Sequence, residues 1–266
     1  MIYKPVFVVG HARGGTTLLA SLLLQGGEFG PRVNPWPGPL SIKRLANPAY
    51  HLWASDQMER KELLLDHFGG RDVFCNYGKE LIKEDVVGLD KELFINALTA
   101  GLCHPRLLHK APQNTFRIKA LTQVFPDAKF VAVVRKGEEV ISSWACRPYG
   151  FGANVSWGEA HSEDFDPSEA AFIFARKWLE GLDYLSGCLQ TTTNLLTISH
   201  HDLIYRTDST LFKVAEFLET FPIVDFHPSD IIPPQDWRKR VPEGCLDHLS
   251  QQLERGNDLI SQITKL

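Results

Sequence analysis

The sequence lacks the features that mark membrane-spanning, metal-clustering and repetitive proteins. None of its apolar runs approaches the roughly 18 residues of a membrane-spanning segment, so no transmembrane helix is predicted. Its five cysteines lie far apart and form no C-x-x-C pair, which argues against a zinc site or a disulfide framework. No internal repeat or low-complexity tract interrupts the 266 residues. The expectation is an ordinary globular chain with reduced thiols.

The chain also lacks a strong excess of either charge. Its 28 Lys and Arg against 32 Asp and Glu give a formal net charge of −4. Nucleic-acid-binding proteins normally carry a basic excess, so we expect no nucleic-acid partner, although this balance still permits a basic pocket for a small anion. The amino-terminal residues lead directly into a strand-like run without the pattern of a signal peptide, so we expect a cytoplasmic protein.

What the chain does contain is an alternation of strand-like and helix-like segments. This alternation predicts an α/β fold in which helices flank both faces of a mostly parallel central sheet. The predicted strands are residues 6–9, 106–110, 129–134 and 195–199. The predicted helices are residues 16–25, about 90–103, 114–125, about 138–145, 167–188, 208–219 and about 242–266. We expect a single domain over residues 1–266, with segments around 26–68 and 147–165 folding over the carboxyl edge of the sheet, where ligands bind in such folds.

The strongest local signal lies between the first strand and the first helix, where the sequence is GHARGGTT from Gly10 to Thr17. Glycines allow successive backbone N–H groups to point at one centre, and the amino terminus of a helix adds about half a positive charge there. This combination predicts a loop that binds an anion. The predicted contacts are Arg13, Gly14, Gly15, Thr16 and Thr17.

The loop differs from a nucleoside-triphosphate loop in two respects. Its spacing matches G-x-x-x-x-G, but Thr16 occupies the position of the lysine that bridges the β- and γ-phosphates. The strand at residues 129–134 is followed by Arg135 and not by an Asp that would hold magnesium. A phosphate-like ligand without a required metal is therefore expected, and a degenerate P-loop kinase is kept as an alternative.

A second block of motifs follows in the middle of the chain. It contains KAPQN from Lys110, FPDAKF from Phe125, and then Arg135 with Ser143 eight residues further on. Together with the loop, this block resembles the sulfotransferase family, in particular its bacterial-type branch, over roughly residues 6–145. Members of that branch typically have Pro-Arg-Ser-Gly-Thr-Thr where this chain has ARGGTT. The resemblance implies a three-layer P-loop-like fold and 3′-phosphoadenosine 5′-phosphosulfate (PAPS) as sulfuryl donor.

The resemblance also implies roles for individual residues. Arg13 would bind the 5′-phosphosulfate, and Lys110 would reach the bridging oxygen of the donor. Arg135 and Ser143 would grip the 3′-phosphate, which suits a guanidinium fork and a hydroxyl. The sulfuryl group would pass to a hydroxyl or an amine. A nucleotide-binding module with impaired catalysis is the non-enzymatic alternative.

The general base is the least determined part of the predicted site. The family supplies it either as a His in a Lys-x-His pattern or as a carboxylate after the first helix. In this chain Ala111 occupies the place of that His, so Glu28 is the candidate base and His11 the alternative. His109 precedes Lys110 on a strand and points to the opposite face, so we expect it to be structural.

The acceptor is not identified by the sequence. The segments expected around the acceptor contain aromatic residues such as Trp36, Phe151 and Trp157. Aromatic side chains suit a lipid, a phenol or the face of a sugar equally well. The expected partner is therefore a small-molecule, lipid or carbohydrate acceptor.

Overall fold

The computed structural model describes residues 3–26, 28–29, 106–110, 112–145, 167–221 and 247–265. The strands of this part are β1 (Val6–Val9), β2 (Leu108–Lys110), β3 (Lys129–Val134) and β4 (Leu195–Ser199). The helices are α1 (Thr16–Gln25), α2 (Ile118–Val124), α3 (Gly137–Ala145), α4 (Pro167–Leu189), α5 (His200–Tyr205), α6 (Thr207–Leu218) and α7 (Ser250–Ile263). Short 3-10 segments cover Pro112–Arg117 and Asp247–Leu249.

The strands form one sheet in the order β2-β1-β3-β4, and every pairing is parallel. Val8 at the centre pairs with Lys110 on one side and with Val131 on the other. The chain thus runs from β1 to β2 on one side and then returns to β3 on the other side of β1. In open parallel sheets a crevice forms at such a reversal, outside the carboxyl ends of the strands, and ligands bind in it.

The sheet is covered on both faces, which makes three layers. On one face Phe7 and Phe130 stack with ring centroids 5.3 Å apart and pack among residues of α2, α3, α4 and α7. On the other face Val8 and Val131 pack among residues of α1, α5 and α6. Burial of each such side chain stabilises the fold by roughly 1.5–3 kcal/mol, which explains why β1, and β3 after Lys129, are continuous apolar runs.

Several predicted elements are confirmed at the predicted bounds, namely β1, α1, β3 and β4. The helix predicted at residues 114–125 is divided, because Pro112–Arg117 forms a 3-10 segment and the α-helix begins only at Ile118. Arg117 marks the break, with a φ of −117° that is not helical. The helix α5 was not predicted.

Other predictions fall outside the described residues. These are the helix at about 90–103, the start of the last helix before residue 247, the segment 147–165, and the segment 26–68 except Gly26, Glu28 and Phe29. Within the described part, no helix combines the length and the apolar character needed to cross a membrane. Cys188, in α4, is buried and forms no disulfide within the described part of the chain.

Candidate functional site

The loop after β1 lies directly against the carboxyl end of β3. Gly10 has a φ of 123°, and a Cβ at this position would lie 2.3 Å from the carbonyl oxygen of Val133. Only glycine allows both this backbone conformation and this close approach. The N–H of Gly10 donates to Oγ1 of Thr115 (2.9 Å), and the N–H of Gly14 donates to the carbonyl oxygen of His11 (2.8 Å). The first turn of the loop is therefore held by its close packing on β3 and by the 3-10 segment that follows β2.

The end of the loop forms the amino terminus of α1. Gly15 is the N-cap residue, with a φ of 103°, and provides no side-chain cap for the helix. The first turn contains no acidic residue. Thr16 is buried, whereas the side chain of Thr17 is exposed. An uncapped helix amino terminus with hydroxyl groups beside it favours an anion, because the N–H groups and the helix dipole both present positive charge.

Two arginines meet at the switch point of the sheet, which is the carboxyl end of β1 and β3, where the strand order reverses. Arg13 has a left-handed backbone with a φ of 69°, and its Nε donates to Oγ of Ser143 in α3 (3.0 Å). Arg135 follows β3, and its Nη1 donates to the carbonyl oxygen of Arg13 (3.2 Å). The structure thus brings together three of the residues predicted from the motifs, although they are up to 130 positions apart in sequence.

Lys110 ends β2 beside this pair and is almost completely buried, with 5% of its surface exposed. Burial, and to a lesser degree the positive charge of Arg13, lowers its pKa from 10.5 to about 8. A buried ammonium near a guanidinium is unfavourable without an anion between them, since both desolvation and repulsion act against it. The arrangement therefore favours an anionic ligand.

His11 lies within the loop and is half-buried. Its Nδ1–H donates to the carbonyl oxygen of Ala12 (2.6 Å), so Nε2 carries the lone pair of the neutral ring. Burial lowers the pKa of His11 to about 4; the hydrogen bond to Ala12 opposes this shift, and the charge of Lys177 adds to it. His11 is therefore neutral at pH 7 but is a weak base.

The structure does not bring Glu28 to the loop. Helix α1 begins at the loop, and its ten residues carry the chain about 15 Å toward the opposite edge of the sheet. There Glu28 interacts electrostatically with Arg106, which also packs on the ring of Phe29 with 4.8 Å to its centroid. Arg106 in turn donates from Nε to the carbonyl oxygen of Lys4, just before β1. The assignment of Glu28 as base gains no support from this position.

His109 occupies the position expected for a structural residue. Its ring meets Phe7 edge to face with centroids 5.9 Å apart, on the face of the sheet opposite to that of α1. Its Nδ1 accepts a hydrogen bond from Nδ2 of Asn114 at 2.9 Å. Burial and the nearby charges of Arg117 and Lys110 lower its pKa to about 3, so the ring is neutral.

Sequence reasoning missed two buried residues near the loop. His200 begins α5 and packs under the loop, since a Cβ on Gly15 would lie 2.4 Å from its Cδ2. Burial, followed by the charges of Arg135 and His201, lowers the pKa of His200 to about 3. The signal that would have found α5 is the capping pattern Ser199-x-x-Asp202, in which Oγ of Ser199 accepts from the N–H of Asp202 (2.9 Å).

The second missed residue is Lys177 in α4, which is 5% exposed. Its charge acts on His11, which places its ammonium within electrostatic reach of the loop. One turn further along α4, a Cβ on Gly181 would lie 3.8 Å from Cζ of Phe116, so this side of the helix faces the 3-10 segment after β2. The local sequence does not distinguish Lys177 from a surface lysine, because Lys177 lies between a charged residue, Arg176, and an aromatic residue, Trp178.

Comparison with known proteins identifies the family of the chain. The model of the sulfotransferase family matches residues 5–221, and the chain belongs to that family. No curated protein matches the chain in sequence.

Solved structures share the fold at low sequence identity. The sulfotransferase domain from the curacin biosynthetic pathway is 15% identical with a TM-score of 0.53, covering 98% of both chains. The sulfotransferase domain of the Synechococcus PCC 7002 olefin synthase is 16% identical with a TM-score of 0.53, covering 96% of this chain and 94% of its own. Mouse sulfotransferase SULT7A1, solved in complex with PAP, is 10% identical with a TM-score of 0.52, covering 98% of this chain and 87% of its own.

Proposed function

We propose that the chain transfers a sulfuryl group from PAPS to a hydroxyl or an amine of a small-molecule, lipid or carbohydrate acceptor. The observation that carries the proposal is the meeting of Arg13, Arg135 and Ser143 at the switch point, beside the amino terminus of α1. Mouse SULT7A1 shares this fold and was solved with PAP, which is adenosine 3′,5′-bisphosphate, the product that PAPS leaves.

The residues fit a nucleotide that carries anionic groups on both its 5′ and its 3′ side. The loop, the amino terminus of α1 and Lys110 form one cationic region, which suits the 5′-phosphosulfate. Arg135 and Ser143 form the other, which suits the 3′-phosphate. Adenosine diphosphate carries its two phosphates in one chain and therefore does not span both regions. Donor binding through protein groups alone is also consistent with Thr16 and Arg135 standing where a magnesium-dependent NTPase has Lys and Asp.

The chemistry expected at this site is an in-line displacement at sulfur. The acceptor oxygen or nitrogen forms a bond to sulfur while the bond from sulfur to the bridging oxygen breaks, and the electron pair of that bond goes to the leaving 5′-phosphate. The proton of the acceptor passes to a protein base or to water in the same process. Lys110 and Arg13 stabilise the charge that develops on the leaving phosphate, which is the main demand of such a transfer.

Ligand-dependent stability tests the donor assignment. Adenosine 3′,5′-bisphosphate should raise the melting temperature more than ADP, or ATP with magnesium, at equal concentration. A ligand at a hundredfold excess over its Kd stabilises the native state by about 2.7 kcal/mol. The variant Arg135→Ala should lose most of this preference. Stabilisation by ATP with magnesium, and none by the bisphosphate, would contradict the proposal.

Turnover is tested separately from binding. The protein loaded with PAPS is incubated with pools of hydroxyl and amine acceptors, and mass spectrometry follows the addition of a sulfuryl group to one class. Binding of the bisphosphate without transfer to any class would point to a nucleotide-binding module and not to an enzyme.

A further inference from the structure

An acidic side chain lies inside this cationic cluster. Glu139, in the first turn of α3, accepts from Nε of Arg135 at 2.8 Å through its Oε2. The two side chains are 23% and 13% exposed, so water screens the pair less than it would at the surface. A carboxylate opposes the binding of an anion by its charge, so its presence here requires a compensating role.

The contact fixes the orientation of the Arg135 guanidinium. Nε is held by Glu139, and Nη1 is held by the carbonyl oxygen of Arg13 at 3.2 Å. Two anchored nitrogens determine the plane of the group, because a guanidinium is rigid and flat. Within the described part of the chain, the other three of its five N–H bonds are not used, and they can donate to a ligand in a fixed direction.

The same contacts close a ring between the loop and α3. Arg13, in its left-handed conformation, donates from Nε to Ser143, which lies one helical turn after Glu139 on the same side of α3. The ring runs from Glu139 through Arg135 and Arg13 to Ser143 and back along the helix. Each contact in the ring orients a group that the proposed function assigns to the donor.

His200 lies beside the carboxylate of Glu139 but does not neutralise its charge. Its Nδ1 lies 4.0 Å from Oε2 of Glu139. Because burial lowers the pKa of His200 to about 3, the ring carries no charge at pH 7. Glu139 therefore forms an ion pair with Arg135 and not with His200.

From this geometry we infer that Glu139 is a positioning residue for the donor, holding Arg135 in the orientation that receives the 3′-phosphate. The inference rests on the proposed function, because it assigns that phosphate to Arg135 and Ser143. Glu139 itself does not contact the donor.

The test compares two ligands that differ only in the 3′-phosphate, adenosine 3′,5′-bisphosphate and adenosine 5′-monophosphate. Their Kd values are measured by calorimetry for the wild-type protein, for Glu139→Gln and for Glu138→Gln. Glu138→Gln is the matched control, since it removes the same charge from the adjacent residue, whose carboxylate accepts from Nδ2 of Asn257 at 3.0 and 3.2 Å. Thermal unfolding shows that each variant is folded.

We expect a loss of affinity only for the bisphosphate and only in Glu139→Gln. Glu139→Gln should bind the bisphosphate about tenfold more weakly, because a misoriented guanidinium loses a charge-assisted hydrogen bond, and should bind the monophosphate within about twofold of wild type. Glu138→Gln should behave as wild type with both ligands.

Three results would overturn the inference. Unchanged or tighter binding of the bisphosphate by Glu139→Gln would show that the carboxylate acts only by its repulsive charge. An equal loss for both ligands would show a general structural role. A wild-type protein that does not prefer the bisphosphate to the monophosphate would overturn the proposed function and this inference together, whereas the first two results leave the proposed function intact.

Discussion

The charge of Lys110 should control the alkaline limit of activity. Lys110 is buried at the end of β2, and burial together with the charge of Arg13 lowers its pKa to about 8. If this ammonium stabilises the leaving phosphate, only its protonated form is productive. A lysine is charged below its pKa, so activity is retained below about pH 8 and is lost as the pH rises through that value.

The size of the effect follows from that pKa. About ten lysines are charged for each neutral one at pH 7, and about one for each ten at pH 9, so kcat/KM of the wild-type protein should fall about tenfold between these values. This profile reports the free enzyme. Bound donor adds negative charge beside Lys110 and raises its pKa, so the alkaline limb of kcat should lie at a higher pH than that of kcat/KM.

The deciding assay is the pH profile of Lys110→Arg beside that of the wild type. A guanidinium stays charged through this range, so the variant should lose the alkaline limb even if its activity is lower throughout. Lys110→Ala should lower kcat more than it weakens binding of the donor product. An unchanged alkaline limb in Lys110→Arg would refute the reasoning, because another group would then be titrating.

Glycine substitutions test the packing around the site. Gly15→Ala should destabilise the fold by about 1–3 kcal/mol and weaken nucleotide binding, since φ is 103° and the new Cβ would lie 2.4 Å from His200. A nucleotide affinity equal to that of the wild type would contradict this. Gly187→Ala is the control for this variant, because among the described residues nothing outside its own helix backbone lies within 4 Å of the new Cβ. Urea denaturation should show about 0.5–1 kcal/mol of added stability for Gly187→Ala. Gly256→Ala should cost about 1–3 kcal/mol in the same measurement, because its Cβ would lie 2.2 Å from the buried ring of Trp178, and an unchanged midpoint would show that the ring can move.

The parts of the fold that the sequence predicts best are its buried strands. β1 is wholly apolar and β3 is apolar after Lys129, and the two runs are ended by Gly10 and by Arg135, so their bounds are visible without any tertiary information. The division of the helix at Arg117 is not visible in that way. It arises where the chain leaves β2 as a 3-10 segment, whose Thr115 is held by the N–H of Gly10 in the loop.

The residues of the candidate site are likewise only partly predictable from the sequence. Arg13 and Arg135 follow strands that turn out to be adjacent, so the topology of the sheet brings them together as the motifs predict. The roles of Glu139 and Lys177 depend on their tertiary interactions with Arg135 and His11, which the local sequence does not reveal. The distance of Glu28 from the loop, by contrast, follows from the length of α1 alone and was predictable.

The remaining question at the site is the base, and His11→Asn addresses it. Asn retains a donor for the carbonyl oxygen of Ala12 but removes the nitrogen that could accept a proton. Because burial lowers the pKa of His11 to about 4, its ring is a poor proton acceptor at pH 7. A well-matched base contributes about 10²–10⁴-fold, so we expect His11→Asn to lower kcat less than tenfold under saturating donor.

The acid side of the pH profile distinguishes the two roles of His11. If His11 were the base, kcat of the wild type would fall below about pH 4, where the ring becomes charged, and the variant would lack that limb. If the ring only supports the loop, the variant keeps the shape of the profile and loses affinity for the donor. A loss of a hundredfold or more in kcat, with donor affinity unchanged, would establish His11 as the base. We expect the supporting role, because burial and, to a lesser degree, the positive charge of Lys177 both act against a proton on His11.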